Sequence, residues 1–160
     1  MTRSSHEVTT ILRDILGSQF FMALATQGNG TLHASLLAFA VSGDLRRIVF
    51  ATPRTSRKFS NIRANGTIAL LIDNRTNDPA DLRAAVSITV HGLAREATGT
   101  ERERLLELYI RRHPGLAGFA HGDGTALICV DVVEYDIVSN FQNVDVFVPG
   151  KQGLDQGTQD

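Results

Sequence analysis

The sequence predicts a mainly β fold of the α+β class, a small antiparallel barrel of six to seven strands with a few peripheral helices. Three observations predict it. Short apolar segments follow one another with tight-turn signals between them, as in Gln27-Gly28-Asn29-Gly30 and Gly43-Asp44. Val86, Ile88 and Val90 alternate with Ser87, Thr89 and His91, the pattern of a strand with one dry face. The apolar frame of the segment 127–137 slips near Val132–Val133, as at a β-bulge that turns a strand round a barrel corner. Helical patterns do not alternate regularly with strands, which disfavours a parallel doubly wound sheet.

The elements follow in order. Val8, Ile11, Leu12, Ile15 and Leu16 form one apolar helical stripe, with Ser4 and Glu7 at capping-box spacing and Gly17 as a stop. Strands are expected at 20–26, 31–42 and 45–52, an antiparallel meander that Pro53 ends. A short helix spans 55–64, with Phe59 and Ile62 on its inner side. Residues 67–73 are apolar on both faces and predict a central strand. A polar loop covers 74–84. A helix opens at Thr100 and Glu103, again at capping-box spacing, buries Leu105, Leu106, Tyr109 and Ile110, and stops at His113-Pro114-Gly115. Strands at 127–137 and 144–148 complete the set. Residues 1–150 are expected to be one domain and 151–160 a disordered tail.

Composition narrows the function classes. The chain has 160 residues, 42% hydrophobic and 21% charged, with a net charge of -1. That balance argues against a general grip on nucleic acid or an anionic membrane. The single cysteine, Cys129, can build neither an internal disulfide framework nor a Cys-rich zinc site, and its apolar neighbours mark it as a buried strand residue. The longest apolar runs, 20–25 and 36–41, fall far short of the roughly 20 residues of a membrane helix. A cytoplasmic protein is expected. No G-x-S-x-G, Walker A or H-E-x-x-H sequence occurs, and Gly28-Asn29-Gly30 lacks the third glycine of a dinucleotide fingerprint. No metal site and no acid/base pair is singled out.

One stretch is unusual. Residues 45–65 hold Arg46, Arg47, Arg54, Arg57, Lys58 and Arg63 and no acid, a local charge of +6. Arg57 and Lys58 fall in the first turn of the expected helix, beside Thr55 and Ser56. A helix N-terminus already carries about half a positive charge, so two cations there are unfavourable unless an anion sits among them. Free N–H groups, two hydroxyls, a guanidinium and an ammonium make a cradle for one phosphate.

At these residues the sequence resembles the pyridoxamine 5'-phosphate oxidase-like superfamily, the FMN-binding split β-barrels. The carriers are Val49-Phe50-Ala51-Thr52-Pro53-Arg54-Thr55-Ser56-Arg57-Lys58, its continuation to Asn65, and Leu32-His33-Ala34-Ser35-Leu36-Leu37 upstream. The resemblance spans roughly residues 18–147. It implies that Arg57 and Lys58 hold the FMN phosphate, with Ser56 and Thr55 assisting. It places Thr52 and the Ala51 backbone on the ribityl chain or ring, and the main chain of Ser35 and Leu36 along the ring. Ser87 falls near the flavin, and Phe141 and Gln142 approach it from a second subunit, since the family binds FMN at a homodimer interface.

The implied function is an FMN-dependent oxidoreductase acting on a small molecule, with no residue assigned to proton transfer. A deazaflavin would suit the same cradle. The alternatives are a non-catalytic flavin-binding protein and a haem-binding or haem-utilisation split barrel with His33 or His91 as iron ligand. Oxidation of pyridoxamine phosphate itself is not expected. True members with that activity carry an Arg and a Lys on the flavin strand, where this chain has His33 and an apolar residue near Ala38, and the chain has no Trp.

Overall fold

The computed structural model describes residues 3–151. Apart from Lys151, the tail expected at 151–160 lies outside the described residues. In chain order the elements are α1 (Ser5–Ser18), β1 (Phe21–Gly28), β2 (Thr31–Ala38), β3 (Ala40–Val41), β4 (Arg47–Pro53), α2 (Arg57–Ala64), β5 (Thr67–Asp73), α3 (Asp81–Ala84), β6 (Ser87–Glu96), α4 (Gly99–Arg112), α5 (Ala117–His121), β7 (Thr125–Ser139) and β8 (Asn143–Phe147). The strands form one eight-stranded sheet in the order β2-β1-β5-β6-β7-β4-β3, with β8 on β7. Every pairing is antiparallel. The expected strand count of six to seven rises to eight because the segment 31–42 is divided.

That division curls the sheet. β2 is one end of the strand order and β3 the other, yet only Phe39 separates them in the chain. A single segment therefore joins both edges. Phe39 N–H bonds the Phe20 carbonyl, and Ser42 N–H bonds the Arg47 carbonyl. In an antiparallel ladder the main-chain groups of successive residues face alternate neighbours. Odd residues from Thr31 to Phe39 thus face β1, and even residues face the β4 side. Pairing with β4 stops at Ala40↔Val49, so the amides of Leu36 and Ala38 project into a split between β2 and β4.

Several elements differ from their expected form. Leu45 belongs to a turn, with φ 62 and a buried side chain, so the next strand begins at Arg47. The α1 capping box between Ser4 and Glu7 forms as expected, but the helix runs one residue past Gly17. The box at Thr100 and Glu103 does not form, because α4 starts earlier, with Thr98 as its N-cap. A short helix, α3, interrupts the polar loop where Asp81 accepts from the Thr76 and Asp78 amides. The β7 bulge is real: His91 pairs with Glu134 and Gly92 with Val132, leaving Val133 as the extra residue.

Two cores result. Inside the curl, Met22, Leu24, Ile48, Phe50, Leu70, Ile88, Ile128 and Tyr135 cluster with the buried stripe of α1. Outside it, Leu105, Leu106 and Tyr109 of α4 cover Val49, Ala51, Leu127 and Cys129. β5 does sit centrally, between β1 and β6, but its outer face is open: Leu71 is 39% exposed. Among the described residues, no helix is long and apolar enough to cross a membrane.

Candidate cofactor site

The junction between β4 and α2 is built by its own sequence. Pro53 ends the strand, and Ser56 N–H closes a turn onto the Pro53 carbonyl at 3.0 Å. Ser56 then caps α2, its Oγ accepting from Phe59 N–H at 3.2 Å. The buried Thr52 hydroxyl lies 2.8 Å from Ser56 Oγ, which ties the cap to the strand end. These two hydroxyls thus set the position of the helix N-terminus, and Thr55 is exposed beside them. Ala51 has its side chain in the outer core, leaving only its main chain to any ligand.

The opposite side of α2 is anchored by Phe59 and Ile62 and by one buried polar contact. Asn61 Nδ2 donates to Thr26 Oγ1 at 3.1 Å. Gly28 permits this approach: a Cβ there would lie 2.1 Å from Asn61 Oδ1. The helix therefore sits on the β1–β2 hairpin, and between them opens a cleft of 390 Å³ lined by Gly28, Asn29, Thr31, His33, Arg57, Ser60 and Asn61.

Charge in the basic stretch is less concentrated than its count suggests. Arg54 pairs with Glu96, which raises the guanidinium above its ordinary pKa through that hydrogen bond. Arg47 lies 3.6 Å from Asp131 and 3.9 Å from Glu101. Arg54 and Arg63 stack on the Phe59 ring at 5.7 and 5.9 Å, and Arg46 lies against Gly150. Arg57 and Lys58 are different. Among the described residues neither has a carboxylate partner, and the first turn of α2 holds no acid.

Of the expected site residues Arg57 alone lines this cleft, with Thr52, Thr55, Ser56 and Lys58 beside it in the chain, and the others lie apart from it. Leu36, 73% exposed, helps line a 200 Å³ cleft with Phe21, Ala23, Leu71, Asp73 and Arg75 on the open outer face of the sheet. Ser87 lines a neighbouring 700 Å³ cleft that shares Leu71, Asp73 and Arg75. Phe141 and Gln142 line a third, of 570 Å³, which shares Leu82 with the second. The shared walls make these one run of clefts across the outer face. Ser35 points the other way. Its Oγ is buried without a hydrogen-bond partner, and its main chain faces β1, so of the pair Ser35–Leu36 only Leu36 turns its amide to the split.

Sequence reasoning missed Ser60, Asn61 and Asn29. The spacing from Arg57 to Ser60 and Asn61 places all three on one side of α2, a signal that was legible. His33, a departure from the oxidases' pattern and with His91 one of two expected iron ligands, lines the same cleft as Arg57. Cys129 is a buried strand residue as expected, and burial pushes its thiol up to about 11.

Comparison with known proteins bears on this arrangement. A family model described as pyridoxamine 5'-phosphate oxidase matches residues 8–138. No curated protein matches the sequence. Among solved structures, a haem-binding protein from Mycobacterium smegmatis is similar at 17% identity and TM-score 0.80, over 93% of this chain and 60% of that one. The chain thus spans about three-fifths of that protein's length. HutZ, the haem storage protein from Vibrio cholerae, is similar at 13% identity and TM-score 0.67, over 88% of this chain and 94% of that one. A putative pyridoxamine 5'-phosphate oxidase from Listeria innocua is similar at 17% identity and TM-score 0.63, over 82% and 98%.

Proposed function

The chain belongs to the pyridoxamine 5'-phosphate oxidase family, and from that premise we propose that it binds FMN and serves as an oxidoreductase for a small molecule, working as a homodimer. The observation that carries this reading is the acid-free N-terminus of α2, where Arg57 and Lys58 have no carboxylate partner among the described residues. Two uncompensated cations on a helix N-terminus are destabilising until an anion joins them, and a phosphate monoester supplies two negative charges.

The residues present suit the rest of the cofactor. His33, Ser60 and Asn29 add donors around Arg57. The Leu36 amide at the split offers a main-chain contact for a flat polar ring. Bound FMN would supply the hydride or electron transfer, and the protein would orient it and shape access. In this reading the outer-face clefts at Leu36, Ser87 and Phe141 receive the ring and the second subunit.

A second reading has one observation in its favour. His91 Nε2 lies 2.9 Å from Asp136 Oδ2, the carboxylate–histidine pairing that often supports a metal-bound imidazole, and two of the similar structures are described as haem proteins.

Titration of purified protein with FMN, followed by quenching of flavin fluorescence, tests the first reading. Saturation at micromolar FMN is expected. Arg57→Ala and Lys58→Ala should each weaken it by about 10- to 100-fold, the loss of one charge-assisted hydrogen bond. Absence of saturation, with a Soret shift on adding haemin, would replace it with the second. Deazaflavin is separated from FMN by the spectrum of the bound species. Reduction of bound flavin by NAD(P)H, with turnover of an electron acceptor, separates an enzyme from a non-catalytic carrier.

A further inference from the structure

A side-chain cluster on the outer face of β6 and β7 is used by neither the phosphate cleft nor the barrel core. His91, Glu134 and Asp136 each place one ligand atom within 4.8 Å of the others. The register explains the convergence. His91 lies directly opposite Glu134, Asp136 stands two residues further on the same face, and the bulge at Val133 sets that phase.

The two carboxylates lack the partners that neighbouring acids have. Asp131 and Glu101 are held by Arg95, Glu96 by Arg54 and Asp73 by Arg75. Among the described residues Glu134 has no ion-pair partner, and Asp136 has only His91. Nearby surface is apolar: Leu93 and Val133 are exposed, as is Val146 opposite Asp136. Two acids side by side on one strand face repel, and a single imidazole offsets one charge at most.

We propose that His91, Glu134 and Asp136 bind a first-row divalent cation. One imidazole nitrogen and two carboxylate oxygens suit Zn(II), Mn(II), Fe(II) or Co(II), and the imidazole disfavours Mg(II) and Ca(II). Three protein ligands leave positions open to water or to a small anionic ligand, the pattern of a reactive rather than a closed structural site. The three side chains are half-buried, so those positions remain reachable from the outer face. A haem iron would take His91 as ligand with Asp136 behind it and leave Glu134 without a role, whereas a hydrated cation uses all three.

The test is a Co(II) titration of the full chain after dialysis against a chelator, read from the visible absorption bands of the metal. Saturable binding of one cation per chain is expected. His91→Ala and Glu134→Gln should each lower affinity at least about tenfold, the loss of one ligand. Arg57→Ala, which should weaken FMN binding, should leave the Co(II) titration unchanged, so this site and the FMN reading fail separately. Should His91→Ala fold poorly by circular dichroism, the near-isosteric Glu134→Gln decides. No saturation in the wild type, or equal affinity in the wild type and Glu134→Gln, would overturn the proposal.

Discussion

A single hydrogen atom at Gly28 decides whether α2 can reach the barrel. Any side chain there would meet Asn61 Oδ1 at 2.1 Å, on the residue whose amide satisfies the buried Thr26 hydroxyl. Gly28→Ala is therefore expected to displace Asn61 and leave Thr26 unpaired, at a cost of about 1–3 kcal/mol. Urea denaturation checks it, with Gly43→Ala as the control, since nothing lies within 4 Å of a Cβ at Gly43. The same displacement would move Arg57, so FMN affinity should fall alongside stability. None of this was legible from Gly28 in the sequence, where it reads as one more turn glycine. The requirement arises from a residue 33 positions away (Gly28 to Asn61) that only the fold brings near.

At the scale of elements, the two hairpin turns make an instructive pair. The β1–β2 turn uses Asn29 and Gly30 at φ 51 and 73, residues at ease in the left-handed region. The β7–β8 turn places Asn140 and Phe141 at φ 48 and 67, and Phe141 is 65% exposed. A phenylalanine pays about 1 kcal/mol for that conformation and buries little in return. Phe141→Gly should raise the stability of the cofactor-free protein by about 0.5–1 kcal/mol, net of the added backbone entropy of glycine. It should lower FMN affinity if the ring contacts the cofactor or the second subunit. Thermal unfolding with and without FMN reads both effects. The helix ends show the limit of local patterns. Ser4 and Glu7 form their box, whereas α4 starts at Gly99 after the N-cap Thr98, so Thr100 and Glu103 fall inside the helix, and Glu101, three residues after that cap, pairs with Arg95 at 2.5 Å instead of closing a box.

The whole molecule presents one covered and one bare outer face. α4 shields β4 and β7, but Phe21, Leu36 and Leu71 on β1, β2 and β5 remain exposed. A bare apolar sheet face of this kind is the natural place for a second copy. In the homodimer reading, Leu36→Glu should yield a monomer of normal secondary structure, because the side chain is 73% exposed and supports no core. Sedimentation of wild type and variant at micromolar concentration checks it. A wild type that sediments as a monomer would remove the dimer from the proposed function.

Local patterns determined most of the strands and the helices α1, α2 and α4, the bulge near Val133, the burial of Cys129 and the basic stretch around Arg57 and Lys58, but not α3 and α5. Each depends on neighbours within a few residues, where periodicity, capping and turn chemistry act directly. Tertiary structure alone decided which cations stay uncompensated, since Arg47 and Arg54 find their acids on other elements. It also decided that Leu36 turns its amide to the split, that His33 lines the same cleft as Arg57, and that His91 meets Glu134 and Asp136. These depend on strand register and sheet closure. Register is set by the sum of many weak contacts across the barrel, and no short stretch of sequence carries that sum. The net charge of -1 was thus true of the chain and silent about the site.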